Sequence, residues 1–344
     1  MASRAGVRRH GQSTVARSRA AARRGDDSRA QVSEMQRSRL LAAAVRTVDE
    51  LGYASATVAP ITQRARVSRR TFYELFANRE ECVAAVLEDA ARRIGAEIER
   101  AGLGGRPWRE RVRGGLWAIL SFFDREPVLA RVCVVQALRG SQAVLERREE
   151  ILRGLARVLD EGRGESARGQ GCPPLTAEGL VGAAFAIVYA RLLRGDSEPL
   201  TCLLPELMGM IVLPYLGPAA ARREQALPVP ASTSGSAARD GVAPRVEHDP
   251  LEGIPMRLTY RTARVLEDVA EHPGVSNRMV AELSGIVDQG QVSKLLARLE
   301  RLGLLQNMGE GHVRGERNAW RLTGRGVQVT QTISAHAHNN GEVA

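Results

Sequence analysis

The chain has few of the residues that mark a secreted protein or a disulfide-stapled fold. Its 344 residues include only four cysteines, Cys82, Cys133, Cys172 and Cys202, with no Cys-x-x-Cys pair. We expect buried or idle thiols in a reducing compartment. The N-terminus carries charge without a following apolar segment, and no run of eighteen apolar residues occurs. The sequence therefore predicts a cytoplasmic protein with no secretory signal and no membrane-spanning helix.

Motifs for enzymatic chemistry are also missing. The sequence has no Gly-x-Ser-x-Gly, no Walker loop and no His-Glu-x-x-His. Gly309-Glu-Gly311 lies between candidate strands rather than before a helix, and His336 and His338 lie in a polar tail, where we interpret them as idle. We expect no enzyme, no catalytic residue, no metal site and no cofactor.

Positive charge is what the chain has in excess. Lysine and arginine number 49 against 39 acidic residues, a formal charge of +10, and Lys294 is the single lysine. Such a balance suits a polyanionic partner such as nucleic acid, although an anionic membrane surface would fit the charge equally well.

Residues 33–101 carry the pattern around which we organise the chain. Leu40, Leu41, Ala44, Val48 and Leu51 recur at spacings of three and four, which predicts an amphipathic helix that ends at the following glycine. Thr57 is a plausible N-cap for a short second helix, with a proline tolerated in its first turn. A tight turn then leads to a third short helix.

That third helix, residues 69–76, has one apolar and one polar side. Phe72, Leu75 and Phe76 are spaced to face the core. Arg69, Arg70, Thr71 and Tyr73 are expected to face outward, and Arg79 opens the next helix. Two short helices joined by a tight turn place the second helix in a DNA major groove. Arginine and threonine can contact bases there, while Tyr73 and Arg79 would suit phosphates.

At these residues the sequence resembles the DNA-binding domain of the TetR family of transcriptional regulators. The quoted stretch is TVAPITQRARVSRRTFYELFANREECVAAVL. The family has a Thr-Val start, an Ala-Gly-Val-Ser turn and a Thr-(Phe/Leu)-Tyr-x-x-Phe recognition helix. The chain departs from this pattern at Arg66, where the family usually has glycine. A left-handed backbone there would cost a non-glycine residue about 1 kcal/mol.

Residues 1–32 are rich in arginine, alanine, glycine and serine and have little to bury. We expect a disordered basic arm that either reaches the DNA backbone or is an idle leader.

Residues 107–217 predict a helical body for effector binding and dimerisation. Its last two helices, near 176–193 and 200–216, are apolar on most sides and rich in small residues, so a second copy of the chain is their natural cover. A fully intramolecular core is the alternative. The TetR resemblance implies a homodimer through the final two helices and a pocket for an unknown small-molecule effector. Trp117, Phe122, Phe185 and Tyr189 are candidate pocket residues, although aromatics at helical spacing are more often core.

A predicted linker, residues 218–254, separates a third unit at 255–333 from the body, and 334–344 is read as a tail. Ser276 is the predicted cap of a short helix in this unit, and residues 288–291 are a capping-box variant that opens a longer one. The third unit's pattern is helix, helix, helix and hairpin, and it resembles the winged-helix domain of MarR-type regulators. The resemblance implies a second DNA-binding surface, with groove-facing residues on the third helix and backbone contacts on the wing. The candidates are Gln289, Gln291, Ser293, Lys294 and Arg298, with His312, Arg314 and Arg317 on the wing. Winged helices also bind proteins, and that alternative stays open.

The whole pattern predicts a mainly α protein that binds double-stranded DNA as a homodimer, responds to a small molecule and represses transcription. The rival interpretation is a helical ligand-binding or enzymatic body that uses its helix-turn-helix modules for protein contacts.

Overall fold

The computed structural model describes the backbone of residues 7–230, 259–286, 288–309 and 318–338, and it is mainly α-helical, as the sequence predicts. The helices of residues 7–230 are α1 (Val7–Leu51), α2 (Val58–Ala65), α3 (Arg69–Leu75), α4 (Arg79–Arg100), α5 (Trp108–Arg125), α6 (Pro127–Val134), α7 (Gln142–Asp160), α8 (Ala167–Gln170), α9 (Thr176–Arg194), α10 (Leu204–Leu216) and α11 (Pro218–Ala226). Short 3₁₀ turns span Gln136–Arg139, Glu161–Glu165 and Leu200–Leu203.

The later residues contain four more helices and a hairpin. These are α12 (Tyr260–Glu271), α13 (Asn277–Ser284), α14 (Gln289–Arg301), β1 (Leu305–Asn307), β2 (Trp320–Leu322) and α15 (Gly324–His338). The described residues form two compact units, and the boundary between them falls inside α1, after Arg39. One unit contains residues 40–64 and 68–230, and the other contains residues up to 39, 65–67 and those from 259 onward.

The beginning of α1 differs from the sequence prediction. Residues 1–32 were expected to be a disordered arm, but the helix begins at Val7. Alanine and arginine are among the best helix formers, and no proline interrupts the segment, so it continues the helix that the apolar pattern starts further on. The predicted arm is therefore wrong for residues 7–32.

Helix α11 is a second difference, because residues 218–226 were assigned to the linker. Its Ala220 and Ala221 are buried, and Glu224 is only 2% exposed. The Glu224 carboxylate lies 3.1 Å from the guanidinium nitrogens of both Arg109 and Arg113 on α5. A buried carboxylate needs such partners. The remainder of the predicted linker, from residue 231, lies outside the described residues.

The body of the first unit has a core built from α5, α10 and their neighbours. Trp108 and Tyr215 are almost fully buried, with ring centroids 5.3 Å apart. The Trp108 indole nitrogen donates to the carbonyl of Val158 at 2.9 Å. A β-carbon added at Gly162 would lie 2.6 Å from the indole ring, so only glycine fits against this face.

The second unit has the predicted order of helices followed by a hairpin. Ser276 caps α13 by accepting from the backbone of Met279, and Asp288 caps α14 by accepting from Gly290 and Gln291, as the sequence predicts. Strands β1 and β2 are antiparallel, with Leu305 opposite Leu322, and Val275 forms a further bridge to Trp320.

Polar contacts join the hairpin to the helices of this unit. The side-chain oxygen of Asn277 accepts from the Trp320 indole at 2.6 Å and from the Asn318 amide at 2.9 Å. The Asn277 amide donates to Ser293 on α14 at 3.1 Å. A partly buried network of this kind favours one arrangement of the hairpin against α13 and α14.

The core of the second unit also takes in residues that the sequence placed elsewhere. Val32 and Met35 of α1 are 4% and 1% exposed and belong to the same apolar cluster as Leu266, Leu296 and Trp320. Helix α15 extends to His338, so the predicted tail is wrong for residues 334–338. Val329 and Ile333 of α15 are buried in the same cluster, which explains why the helix forms.

Arg66 has the left-handed backbone that the sequence indicates, with φ of 53° in the turn between α2 and α3. The variants Arg66→Asn and Arg66→Val both remove the guanidinium, but asparagine tolerates this conformation and a β-branched residue does not. Chemical denaturation should therefore give the asparagine variant a free energy of unfolding higher by about 1 kcal/mol or more. Equal stabilities would mean that the turn relaxes at no cost.

Candidate DNA-binding surface

Helix α3 is held by its cap and by one buried ring. The Ser68 side chain accepts from the backbone N–H of Thr71 at 3.0 Å, which caps the helix. Phe72 is fully buried, and its ring lies 5.6 Å from that of Phe76, which is also buried. Leu75 is half-buried. The inner side of the helix is therefore the one that the spacing of apolar residues predicts.

The opposite side of α3 presents cations and a phenol. Arg69 and Arg70 are exposed, and Tyr73 is 58% exposed. The Arg70 Nε donates to Glu74 at 2.9 Å, an exposed pair that costs little to break. Thr71 is half-buried, and its hydroxyl lies 2.8 Å from that of Ser68. Arg69, Arg70 and Tyr73 thus share an accessible surface, and Thr71 stands at its edge.

Thr57 immediately precedes α2, and its carbonyl accepts from the backbone N–H of Ile61 at 3.4 Å. Thr57 is exposed, as a cap beside DNA would have to be.

At the other end of α2, Arg64 donates to Glu50 at 2.7 Å. This hydrogen bond lowers the pKa of Glu50.

Arg79 is placed differently from the other candidates. Its guanidinium donates to the carbonyls of Tyr53 and Ala54 at 3.2 and 3.3 Å and to Glu80 at 2.7 Å. It also lies 4.7 Å from the centre of the Tyr53 ring. Although burial alone would raise it, the pKa of Glu80 is lowered by hydrogen bonds from its own backbone and from Arg79. These contacts fasten the start of α4 to the turn after α1.

Polar contacts also join this DNA-binding head to the helical body. Arg131 on α6 makes a two-pronged ion pair with Asp49 near the end of α1, at 2.8 and 2.7 Å. The backbone N–H of Ser141 donates to the Tyr53 hydroxyl at 3.0 Å. The hydrogen bonds to Asp49 raise the pKa of Arg131. Sequence reasoning missed this junction because its partners lie more than eighty residues apart.

The four candidate pocket residues do not share one environment. Phe122 is 2% exposed, with the Arg93 guanidinium 4.9 Å from its ring centre, so it is part of the core. Trp117, Phe185 and Tyr189 are half-buried. The Arg148 guanidinium carbon lies 6.0 Å from the centre of the Phe185 ring, a contact that the sequence did not indicate.

On the second unit, the candidates of α14 that the structure describes are on its outer side. Gln289, Gln291, Lys294 and Arg298 are exposed, whereas the Ser293 hydroxyl accepts from Asn277. A groove of about 320 Å³ lies beside them and is lined by Thr259, Arg261, Thr262, Ile286, Gln291, Leu295 and Arg298. Arg261 donates to Gln291 at 3.1 Å and adds a cation that the sequence did not single out. The wing candidates His312, Arg314 and Arg317 lie outside the described residues.

Neither the potential metal ligands nor the Cys133 thiol adds a further site among the described residues. Over the described ranges, no three histidine, cysteine, aspartate or glutamate side chains come together as a metal site. Burial raises the pKa of the Cys133 thiol to about 12, so the thiol is protonated near neutral pH.

These features define a protein with a helix-turn-helix DNA-binding head on a helical body. Residues 40–86 match the family model described as bacterial regulatory proteins, tetR family. A curated relative is the uncharacterised HTH-type transcriptional regulator YhgD of Bacillus subtilis, 24% identical over 154 residues, which are 44% of this chain and 81% of that protein. Residues 40–86 are therefore similar to the TetR-type DNA-binding domain, and the curated relative that the chain matches is a transcriptional regulator.

Two solved structures of FadR regulators are also similar to part of the chain. The fatty acid degradation regulator FadR from Bacillus halodurans is 20% identical, with a TM-score of 0.47, over 52% of this chain and 94% of that one. FadR from Bacillus subtilis, solved in complex with stearoyl-CoA, is 20% identical, with a TM-score of 0.45, over 51% of this chain and 96% of that one.

Truncating the outer side chains of α3 tests their role in DNA recognition. Arg70→Ala or Tyr73→Ala should each weaken operator binding by about 1–3 kcal/mol, because each removes a base or phosphate contact. Affinity would be measured by fluorescence anisotropy on an operator obtained from a genome-wide footprint. Arg153→Ala, an exposed arginine on α7, is the control for loss of positive charge. Unchanged affinity in both α3 variants, with folding intact, would contradict the assignment.

Proposed function

We propose that this chain is a cytoplasmic, homodimeric, ligand-responsive repressor. The observation that carries the proposal is the accessible surface of α3, on which Arg69, Arg70 and Tyr73 stand opposite the buried Phe72. A helix presented in this way fits a DNA major groove. A repressor would bind its operator in the free state and release it when an effector occupies the helical body. A purified protein that ignores genomic DNA fragments would revive the rival interpretation, in which the modules contact proteins.

Helix α9 supplies the surface for dimerisation. Leu193 and Ile187 are 59% and 37% exposed. Gly182 and Ala186, which lie nearer the start of the helix, are also exposed, and a β-carbon at Gly182 would meet no atom within 4 Å. Small residues on an open helix face allow a second helix to approach closely. A copy of the same helix, related by a two-fold axis, satisfies this geometry.

Helix α10 contributes less to this surface than the sequence predicts. Leu207, Met208, Ile211 and Val212 are buried within one chain, and α11 and α5 pack against the helix. The reason is α11, which the sequence analysis read as linker. Leu213, at 44% exposure, is the part of α10 left to join a partner's α9.

A lipid bilayer is the other environment that an exposed apolar helix would suit. α9 is long and apolar enough to span one by length and composition, with only 17% of its apolar window buried. The sequence prediction of no spanning helix therefore differs from this finding. We favour a second copy because the helix is flanked by charges, with Glu178 in its first turn and Arg191 and Arg194 in its last, and its open face consists largely of small residues.

Bulky residues on the open face of α9 should break the dimer. Gly182→Leu and Ala186→Leu should each cost about 1–3 kcal/mol of association energy through overpacking. Sedimentation velocity across protein concentrations would measure the shift toward monomer. Ala96→Leu on α4 makes the same change at an exposed helical position and should leave association unchanged. A wild-type protein that sediments as a monomer at micromolar concentration refutes the dimer.

The junction between head and body offers a route from effector to DNA. Arg131 with Asp49, and Ser141 with Tyr53, join α6 and the start of α7 to the end of α1 and the turn after it. An effector that prefers a body with these contacts rearranged would shift the dimer toward a state whose recognition helices no longer match the operator.

We further propose that α14 makes a second, weaker DNA contact. Gln291, Lys294 and Arg298 are exposed, and Arg261 reaches the same side. Few phosphate contacts give weak binding on their own, but attachment to a head already on DNA raises the effective concentration. A protein partner at this surface is the alternative.

A surface variant tests this second contact better than truncation, because removal of the unit would expose Val32 and Met35 of α1. The variant Gln291→Ala, Lys294→Ala, Arg298→Ala should keep primary operator binding while shortening the footprint or lowering the salt slope by about one unit per lost phosphate contact. Arg278→Ala on α13, 81% exposed, is the control. If footprint, affinity and salt slope all stay as in wild type, the surface binds a protein instead.

A further inference from the structure

Arg148 stands on the inward side of α7, where every other residue is apolar. Helical spacing places it in line with Val144, Ile151, Leu155 and Leu159. Val144 is fully buried and Leu159 is 8% exposed. The helix packs against α4 and α9. Arg148 itself is half-buried, and a cation at the centre of such an apolar face is unusual.

Among the described residues, no carboxylate forms an ion pair with the Arg148 guanidinium. The Arg148 Nε is buried with no hydrogen-bond partner, and among the described residues the side chain makes no ion pair. Two arginines on the outer side of α7 are paired: Arg147 lies 2.7 Å from Glu150 and Arg153 lies 3.4 Å from Glu149. Burial lowers the pKa of Arg148, and the neighbouring Glu149 counters this only in part. An unpaired cation in an apolar setting destabilises the protein that carries it.

The side chains around Arg148 are apolar and leave room for further contacts. The Phe185 ring on α9 lies 6.0 Å from the guanidinium carbon and is half-buried. Ile151, Leu152 and Leu155 on the inward face are only half-buried, so the apolar side chains around the cation are incompletely covered.

We propose that Arg148 binds the anionic head of the effector, and that the effector is an amphipathic molecule with an apolar body and a carboxylate or phosphate group. The guanidinium fork matches either oxyanion with two parallel hydrogen bonds. The half-buried apolar side chains of α7 and the ring of Phe185 suit the apolar body. This inference rests on the proposed function and specifies the chemical class of the effector.

The test uses the full-length chain and four probes of matched length. Dodecanoate and dodecyl phosphate carry the two candidate heads, dodecanol carries none, and dodecyltrimethylammonium carries the opposite charge. Each is titrated below its micelle concentration. Binding is followed by the thermal midpoint without DNA and by release of a fluorescent operator. Wild type should respond to at least one anionic probe at concentrations about tenfold or more below those needed for dodecanol or the cation.

Arg148→Met removes the charge and keeps an apolar side chain of similar length. It should raise the concentration of the effective anionic probe by about tenfold or more and leave the response to dodecanol unchanged. Arg153→Met makes the same change on the outer side of α7 and should respond as wild type. Arg148→Lys should recover part of the anion response. The comparison of dodecanoate with dodecyl phosphate distinguishes the two heads.

Three outcomes overturn the inference. The first is a wild type that binds neither anionic probe, and the second is an Arg148→Met variant that keeps the anion response. The third is an Arg148→Met variant that becomes monomeric, because the arginine would then pair with the partner subunit. In each case operator binding by the wild type can remain intact, which leaves the proposed function standing. Loss of operator binding in wild type itself would instead refute the proposed function.

Discussion

The burial of Phe72 is the interaction on which the DNA-binding surface depends. Its fully buried ring determines which side of α3 faces outward, and the Ser68 cap determines where the helix starts. Arg69, Arg70 and Tyr73 are exposed as a consequence. The left-handed backbone at Arg66 also contributes, because it turns the chain from α2 into α3. A core contact thus sets the geometry that recognition requires.

The sequence predicted best where local spacing determines structure. The third helix, its buried face, the caps of α13 and α14 and the hairpin partner strand all follow from periodicity and turn chemistry. Two of the misassigned segments owe their helicity to tertiary contacts. Helix α11 is stabilised where Glu224 meets two arginines of α5, and α15 where Ile333 enters the core of the second unit. Neither contact has a signature in neighbouring residues.

The same distinction between local spacing and distant contacts applies to the residues of the candidate site. Exposed positions on α3 and α14 could be predicted from the side of the helix on which they fall. The role of Arg79 could not, because its partners at Tyr53 and Ala54 are distant in sequence. Arg148 could not be singled out among so many arginines, since an unpaired state is a property of the folded surroundings. The presence of an arginine in the sequence therefore says little about its role. Its hydrogen-bond and ion-pair partners in the fold distinguish a surface arginine from a structural one and from one proposed to bind a ligand.

Two α3 helices brought together by α9 are the centre of this account, and a footprint on the operator tests that arrangement most directly. Hydroxyl-radical footprinting of wild type, with the protein-to-DNA stoichiometry measured in parallel, would report how many recognition helices touch DNA. The account predicts a two-fold symmetric pattern with half-sites about 34 Å apart or a multiple of that spacing, bound by an even number of chains. A single asymmetric protected site bound by one chain would contradict it.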